Sequence, residues 1–295
     1  MNEPFYGLAT HSITNGHVQL DVLSTAGPRI VRLIGANGRN LLAEMPDKTW
    51  DVPNGTFHIY GGHRLWHGPE AFPRTYQPDN EGLELEEIAG GVILRRPTEP
   101  ASGIAKEVVI RLATDRAALT IDHHLINNSP WPIELAPWAI TQFRPGGHAI
   151  IPFGPIDPDR AALLPNRMLV FWPYTQPSDP RFRFGDAYLI IHAGELPPTK
   201  LGTFVERGWT AYHVDETLIV KRFTPQPGSN HVDHGCNVEV YTDRNTLELE
   251  TIAPLSRLEP GARVNHREEW ELSKGTADPI DESWVQRITD GLNLP

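Results

Sequence analysis

A single cysteine, Cys236, stands among 295 residues. No intramolecular disulfide can form, and a cysteine-based zinc cluster is excluded. Residues 1–10 lack the basic start and apolar run of an export signal. No stretch approaches the ~18 consecutive apolar residues needed to span a bilayer. Positive charge is scarce: 26 Lys and Arg against 37 Asp and Glu leave a formal charge of −11. A field of that sign repels phosphate backbones and anionic lipid, so neither nucleic acid nor a membrane is expected as partner. These absences together predict a soluble cytoplasmic protein.

Helical periodicity is scarce as well, whereas turn-forming residues abound, with 25 Gly and 28 Pro. Apolar residues alternate with polar ones along many short runs. Residues 17–23 set Val18, Leu20 and Val22 on one side and Gln19 and Asp21 on the other. Similar runs occur at 29–34, 83–88, 92–95, 107–112, 119–126 and 133–143, then at 187–192, 217–223, 237–242, 246–252 and 265–272. Bounded by Gly, Pro, Asn or Asp, they read as half-buried antiparallel strands. The predicted fold is all-β: a large antiparallel β-sandwich forming one domain over residues 1–295. Near the end, Asp281 as N-cap and Gly291 as stop bracket a short helix carrying Trp284, Val285 and Ile288. The proline-rich loop at 152–180 is read as an insertion within that domain.

Residues 60–70 form the densest polar-aromatic segment, read as a glycine-rich loop. It offers His63, Arg64, Trp66, His67 and Glu70 beside Tyr60, and its glycines let the backbone approach a ligand closely. Sugar binding uses that mixture, since aromatic faces cover C–H surfaces while charged groups fork onto hydroxyls. A plain structural loop would also accommodate it. Trp172, Tyr174, Lys200 and Lys221 could extend such a pocket, although each aromatic taken singly is better explained by the core. Late in the chain, Glu248 and Glu250 share one face of a strand, and Glu239 belongs to a neighbouring one. Grouped carboxylates raise one another's pKa, which suits proton transfer. Alternatively they form a solvent-facing row with Leu247 and Leu249 turned inward. A metal reading draws on His63, His67, His231, Asp233 and His234, but no strict ligand spacing supports it, so neither metal nor cofactor is expected.

The order of motifs resembles the galactose mutarotase-like (aldose 1-epimerase) superfamily. Tyr60-Gly61-Gly62 stands where that family has a His-Gly-Gly loop. Residues 132–138 follow a family strand in outline, and Leu249-Glu250-Thr251 with Pro260-Gly261 matches its catalytic Leu-Glu-Thr strand and following turn. The resemblance implies a sandwich that cradles a monosaccharide and interconverts its anomers without a cofactor. Glu250 matches the family base. Tyr60 and Trp138 stand at the family histidine positions, and an indole N–H is no useful acid. The acid role therefore passes to His63 or His67. Arg64, Tyr60, Trp66, Trp138, Trp172, Tyr174, Lys200 and Lys221 would shape the pocket. Two other functions remain open at this stage: a carbohydrate-binding protein without catalysis, and a metal-dependent isomerase or lyase.

Overall fold

The computed structural model describes residues 3–154, 165–275, 280–292 and 294. Two antiparallel sheets, of 11 and 10 strands, pack face to face. At the centre of the first, Gly55–Gly68 pairs with Ile133–Phe143, followed outward by Leu247–Ile252, Val238–Thr242 and Thr199–Thr203. At the centre of the second, Thr217–Phe223 pairs with Arg263–Lys274, which pairs with Ala118–Asn127. The antiparallel β-sandwich expected from the alternating runs is thus observed.

Alternation decides what each sheet buries. Leu20, Val22, Ile30, Leu65 and Leu249 of the first sheet meet Leu94, Ile110, Ile121 and Trp270 of the second in the main core. On the outer face of the first sheet, Phe57, Trp66, Trp138, Ile140 and Ile252 form a smaller apolar cluster. Against the outer face of the second lies the helix Glu282–Gly291, which buries Trp284 and Val285 on Trp209, Leu218 and Val220. Asp281 caps it by accepting from the Trp284 N–H at 2.8 Å, worth about 1 kcal/mol.

The main departure is at residues 60–70. The expected loop is largely the second half of the 14-residue strand Gly55–Gly68. Its glycines do not open a loop; they kink the strand, with φ of 56° at Tyr60, 92° at Gly61 and 74° at Gly62. A Cβ on Gly61 would lie 2.0 Å from the Ala43 carbonyl oxygen, and one on Gly62 the same distance from that of Ile30. Only glycine fits both the backbone angle and the close approach. Part of the 152–180 segment, residues 155–164, lies outside the described residues; the rest is turns and the two-residue strand Val170–Phe171.

Candidate functional site on the outer face of the first sheet

Directly paired residues on adjacent antiparallel strands project to the same side of a sheet. Arg64 pairs with Ile140, Ile140 with Glu250 and Glu250 with Glu239, so these four form one row across the outer face. A second row runs Gly62, Gln142, Glu248, Tyr241 and Lys200. A third sets Trp66 beside Trp138 and Ile252.

Lys200 Nζ lies 2.6 Å from Glu239 and 3.2 Å from Glu250. The same ammonium sits 4.9 Å from the Trp138 ring centre and 4.7 Å from that of Trp172. Trp138 Nε1 donates to Glu250 Oε2 at 2.7 Å. Among the described residues, Glu250 Oε1 is buried with no hydrogen-bond partner. Beside this group, Arg64 donates to Gln142 at 2.6 Å, Gln142 donates to Glu248 at 2.6 Å, and Arg64 stacks over Trp66 at 4.4 Å.

One cation shared by two buried carboxylates sets the protonation states. Burial, opposed by Lys200, raises the Glu250 carboxyl to about 7. Burial also holds Glu239 well above the ordinary carboxylate range, again against the pull of Lys200. Desolvation works against the Lys200 ammonium, yet Glu250 and Glu239 keep its pKa well above the usual lysine value. Both carboxyls are therefore biased toward the protonated form while the ammonium is held charged. Tyr174, half exposed nearby, is pushed up to about 12 by burial and stays a phenol.

Beyond the kink at residues 60–62, the odd-numbered positions of this strand face the other way. His63, Leu65 and His67 project between the sheets, so neither imidazole shares the face of Glu250. Lys221 is also inter-sheet. Its ammonium donates to Thr141 Oγ1 and the Leu249 carbonyl, both at 2.8 Å, and pairs with Glu268 at 3.0 Å. Tyr60 packs with Phe5, Leu23, Ala26 and Val31 in a separate cluster. Of the sequence-derived candidates, the structure groups Glu250, Arg64, Trp66, Trp138, Trp172, Tyr174 and Lys200. It separates His63, His67, Lys221 and Tyr60 from them. Glu239, Gln142 and Glu248 complete the site.

Between the sheets, His123 Nδ1 contacts the His266 carbonyl at 2.9 Å, a bond in which only the ring can donate. A neutral His123 thus accepts at Nε2 from His63 Nε2–H, 2.7 Å away, and His63 Nδ1 accepts from Thr141 Oγ1 at 2.9 Å. Burial lowers the pKa of all three histidines, that of His266 to about 3. His63, His123 and Glu268 present three ligand atoms within 4.8 Å of one another. Their charge is already balanced, however, because Lys221 supplies the cation that Glu268 needs. A divalent ion added beside that ammonium would leave two buried charges uncompensated, so the residues present do not suit it. His231 packs edge-on against Phe204 on a separate turn. Alternating His266, Glu268, Trp270 and Leu272 on one strand was the sequence signal for this cluster, since its polar members occupy inward positions.

No family model matches this sequence, and no curated protein does. Solved structures do match. A galactose mutarotase-like protein from Lactobacillus casei ATCC 334 is 11% identical with a TM-score of 0.52, covering 90% of this chain and 100% of that one. A galactose mutarotase related enzyme from Lactobacillus acidophilus is 10% identical at 0.51, covering 92% and 99%. A TPR-domain containing protein from Parabacteroides distasonis ATCC 8503 is 12% identical at 0.62, covering 92% of this chain and 48% of that longer one. The sandwich architecture and these likenesses give the chain a galactose mutarotase-like fold.

Proposed function

We propose that the outer face of the first sheet binds a saccharide and moves protons at its anomeric centre without a cofactor, in the manner of an aldose 1-epimerase. The observation that carries this reading is the buried, unpartnered Oε1 of Glu250 beside the Glu239–Lys200 couple and under Trp138. An unsatisfied buried acceptor is costly, and a sugar hydroxyl supplies the missing donor. The two tryptophans flanking Lys200 offer faces for the C–H side of a ring.

Glu250, with a pKa near the working pH, removes the proton from the anomeric hydroxyl. Protonated Glu239 gives its proton to the ring oxygen as the bond from that oxygen to the anomeric carbon breaks. Lys200 stabilises whichever carboxylate carries the charge. Rotation about the exposed carbonyl carbon and closure, with both transfers reversed, yields the other anomer. Two carboxylates whose environments separate their protonation states thus take the acid and base roles. Those roles were expected of His63 or His67 together with Glu250, but the imidazoles occupy the opposite face.

The test is polarimetric relaxation of fresh α-D-glucose and α-D-galactose. The wild type should accelerate it, and Glu250→Gln should lose about 10²–10⁴-fold, the usual worth of a general base. Wild-type rates equal to buffer would remove the catalytic reading for those sugars. Saccharide binding without turnover is the second reading. It is favoured by the position of both expected histidines behind the sheet, and binding that survives Glu250→Gln with no turnover supports it.

A further inference from the structure

Trp50, Glu70, Phe72 and Tyr76 line a cavity of about 410 Å³, within the ~300–1,000 Å³ typical of ligand pockets. Two of its four residues are large apolar side chains left in solvent: Phe72 is 65% exposed and Trp50 39%. Grouped exposed aromatics around a concavity usually mark a binding surface. The fourth wall is polar, with the Tyr76 hydroxyl donating to the Glu70 carboxylate.

A chain of packed rings links this cavity to the site around Glu250. Trp138, which donates to Glu250, lies 5.5 Å from Trp66. Trp66 lies 4.9 Å from Tyr76, and Tyr76 lies 6.0 Å from Trp50 and 5.9 Å from Phe72. From the other side, the Tyr174 hydroxyl feels the charges of Lys200, Glu250 and Glu70 together, so Glu70 belongs to the same electrostatic neighbourhood. Arg64, stacked on Trp66, sits between the two ends of the ladder.

We propose that the Trp50–Phe72–Tyr76 cavity is a second sugar subsite, so that the preferred ligand is an oligosaccharide end rather than a lone monosaccharide. The inference rests on the saccharide reading of the Glu250 site and extends it by one ring. Aromatic faces beside a carboxylate acceptor match a pyranose, which has apolar C–H faces and donor hydroxyls at its edge. A second ring linked to the first would reach the ladder without any new charge. The separate contacts would then act on one molecule, raising affinity without changing the first subsite.

Calorimetry on the full chain tests this with glucose and galactose against maltose, cellobiose and lactose. The expected result is at least one disaccharide bound tenfold or more tighter than either monosaccharide. The Trp50→Ala/Phe72→Ala variant, altered only at exposed rings, should erase that gain and leave monosaccharide affinity unchanged. Disaccharides within twofold of monosaccharides in the wild type, or a gain that persists in the variant, would overturn the second subsite alone. If none of the five sugars binds, the saccharide reading itself falls and the subsite falls with it.

Discussion

Glu250 and Glu239 stand directly opposite each other on neighbouring antiparallel strands, both fully buried, with the Lys200 ammonium in contact with each. One cation is shared by two carboxylates, and burial biases both toward the protonated form. That arrangement would be costly in an ordinary core, and the proposed proton transfer rests on it.

Lys200→Met strips the ammonium from this group. Breaking a buried pair from one side costs about 3–5 kcal/mol, because the remaining charge is stranded. Denaturant unfolding should show that loss. Lys200→Met/Glu250→Gln should recover part of it, and strictly additive costs would disprove the coupling.

Proton binding at Glu250 stabilises the fold. Its folded pKa of about 7 lies above the unfolded carboxylate value, so the native state binds more protons in between. This contribution is full below the unfolded value and fades as pH rises through 7. Urea titrations at pH 5, 6, 7 and 8 should show a downward trend that Glu250→Gln lacks. The proposed turnover should move the opposite way, rising as Glu250 ionises.

The inter-sheet histidines respond to acid. His266 keeps a pKa of about 3 when folded but regains the ordinary histidine value of about 6.5 when unfolded. Stability is fully present above the unfolded value and declines as pH falls from there toward 3. His266→Gln should lower stability at pH 7, because Thr251 loses its 2.6 Å partner, yet flatten the acid limb. An acid limb as steep as the wild type's would contradict this assignment.

Gly61→Ala meets both a left-handed backbone angle and the Ala43 carbonyl. We expect a loss of more than about 1 kcal/mol in urea unfolding. Gly16→Ala, also at positive φ but in open space, should cost less.

The strand ladder was legible where a strand buries one side, which writes period two into the residues; 119–126 and 265–272 are examples. The helix after Asp281 was legible through its cap and the spacing of Trp284 and Ile288. Gly55–Gly68 was not. Its second half is buried on both faces, so polarity does not alternate along it and His63 cannot be told from Arg64 by pattern. Lys221 misled for a related reason: a buried lysine with all its partners on other strands looks like a surface charge in the sequence. Glu250 was singled out by its motif, whereas its pairing with Glu239 depends on register between strands that only the fold supplies.

That shared strand carries a further consequence. Because consecutive side chains there alternate between the inter-sheet space and the outer face, deleting a single residue between Gly62 and His67 would exchange the two populations wholesale. Imidazoles would arrive among the tryptophans while a guanidinium was driven into the middle of the sandwich. Length in this stretch is consequently far less negotiable than composition, and point replacements are the only small steps by which its chemistry can drift.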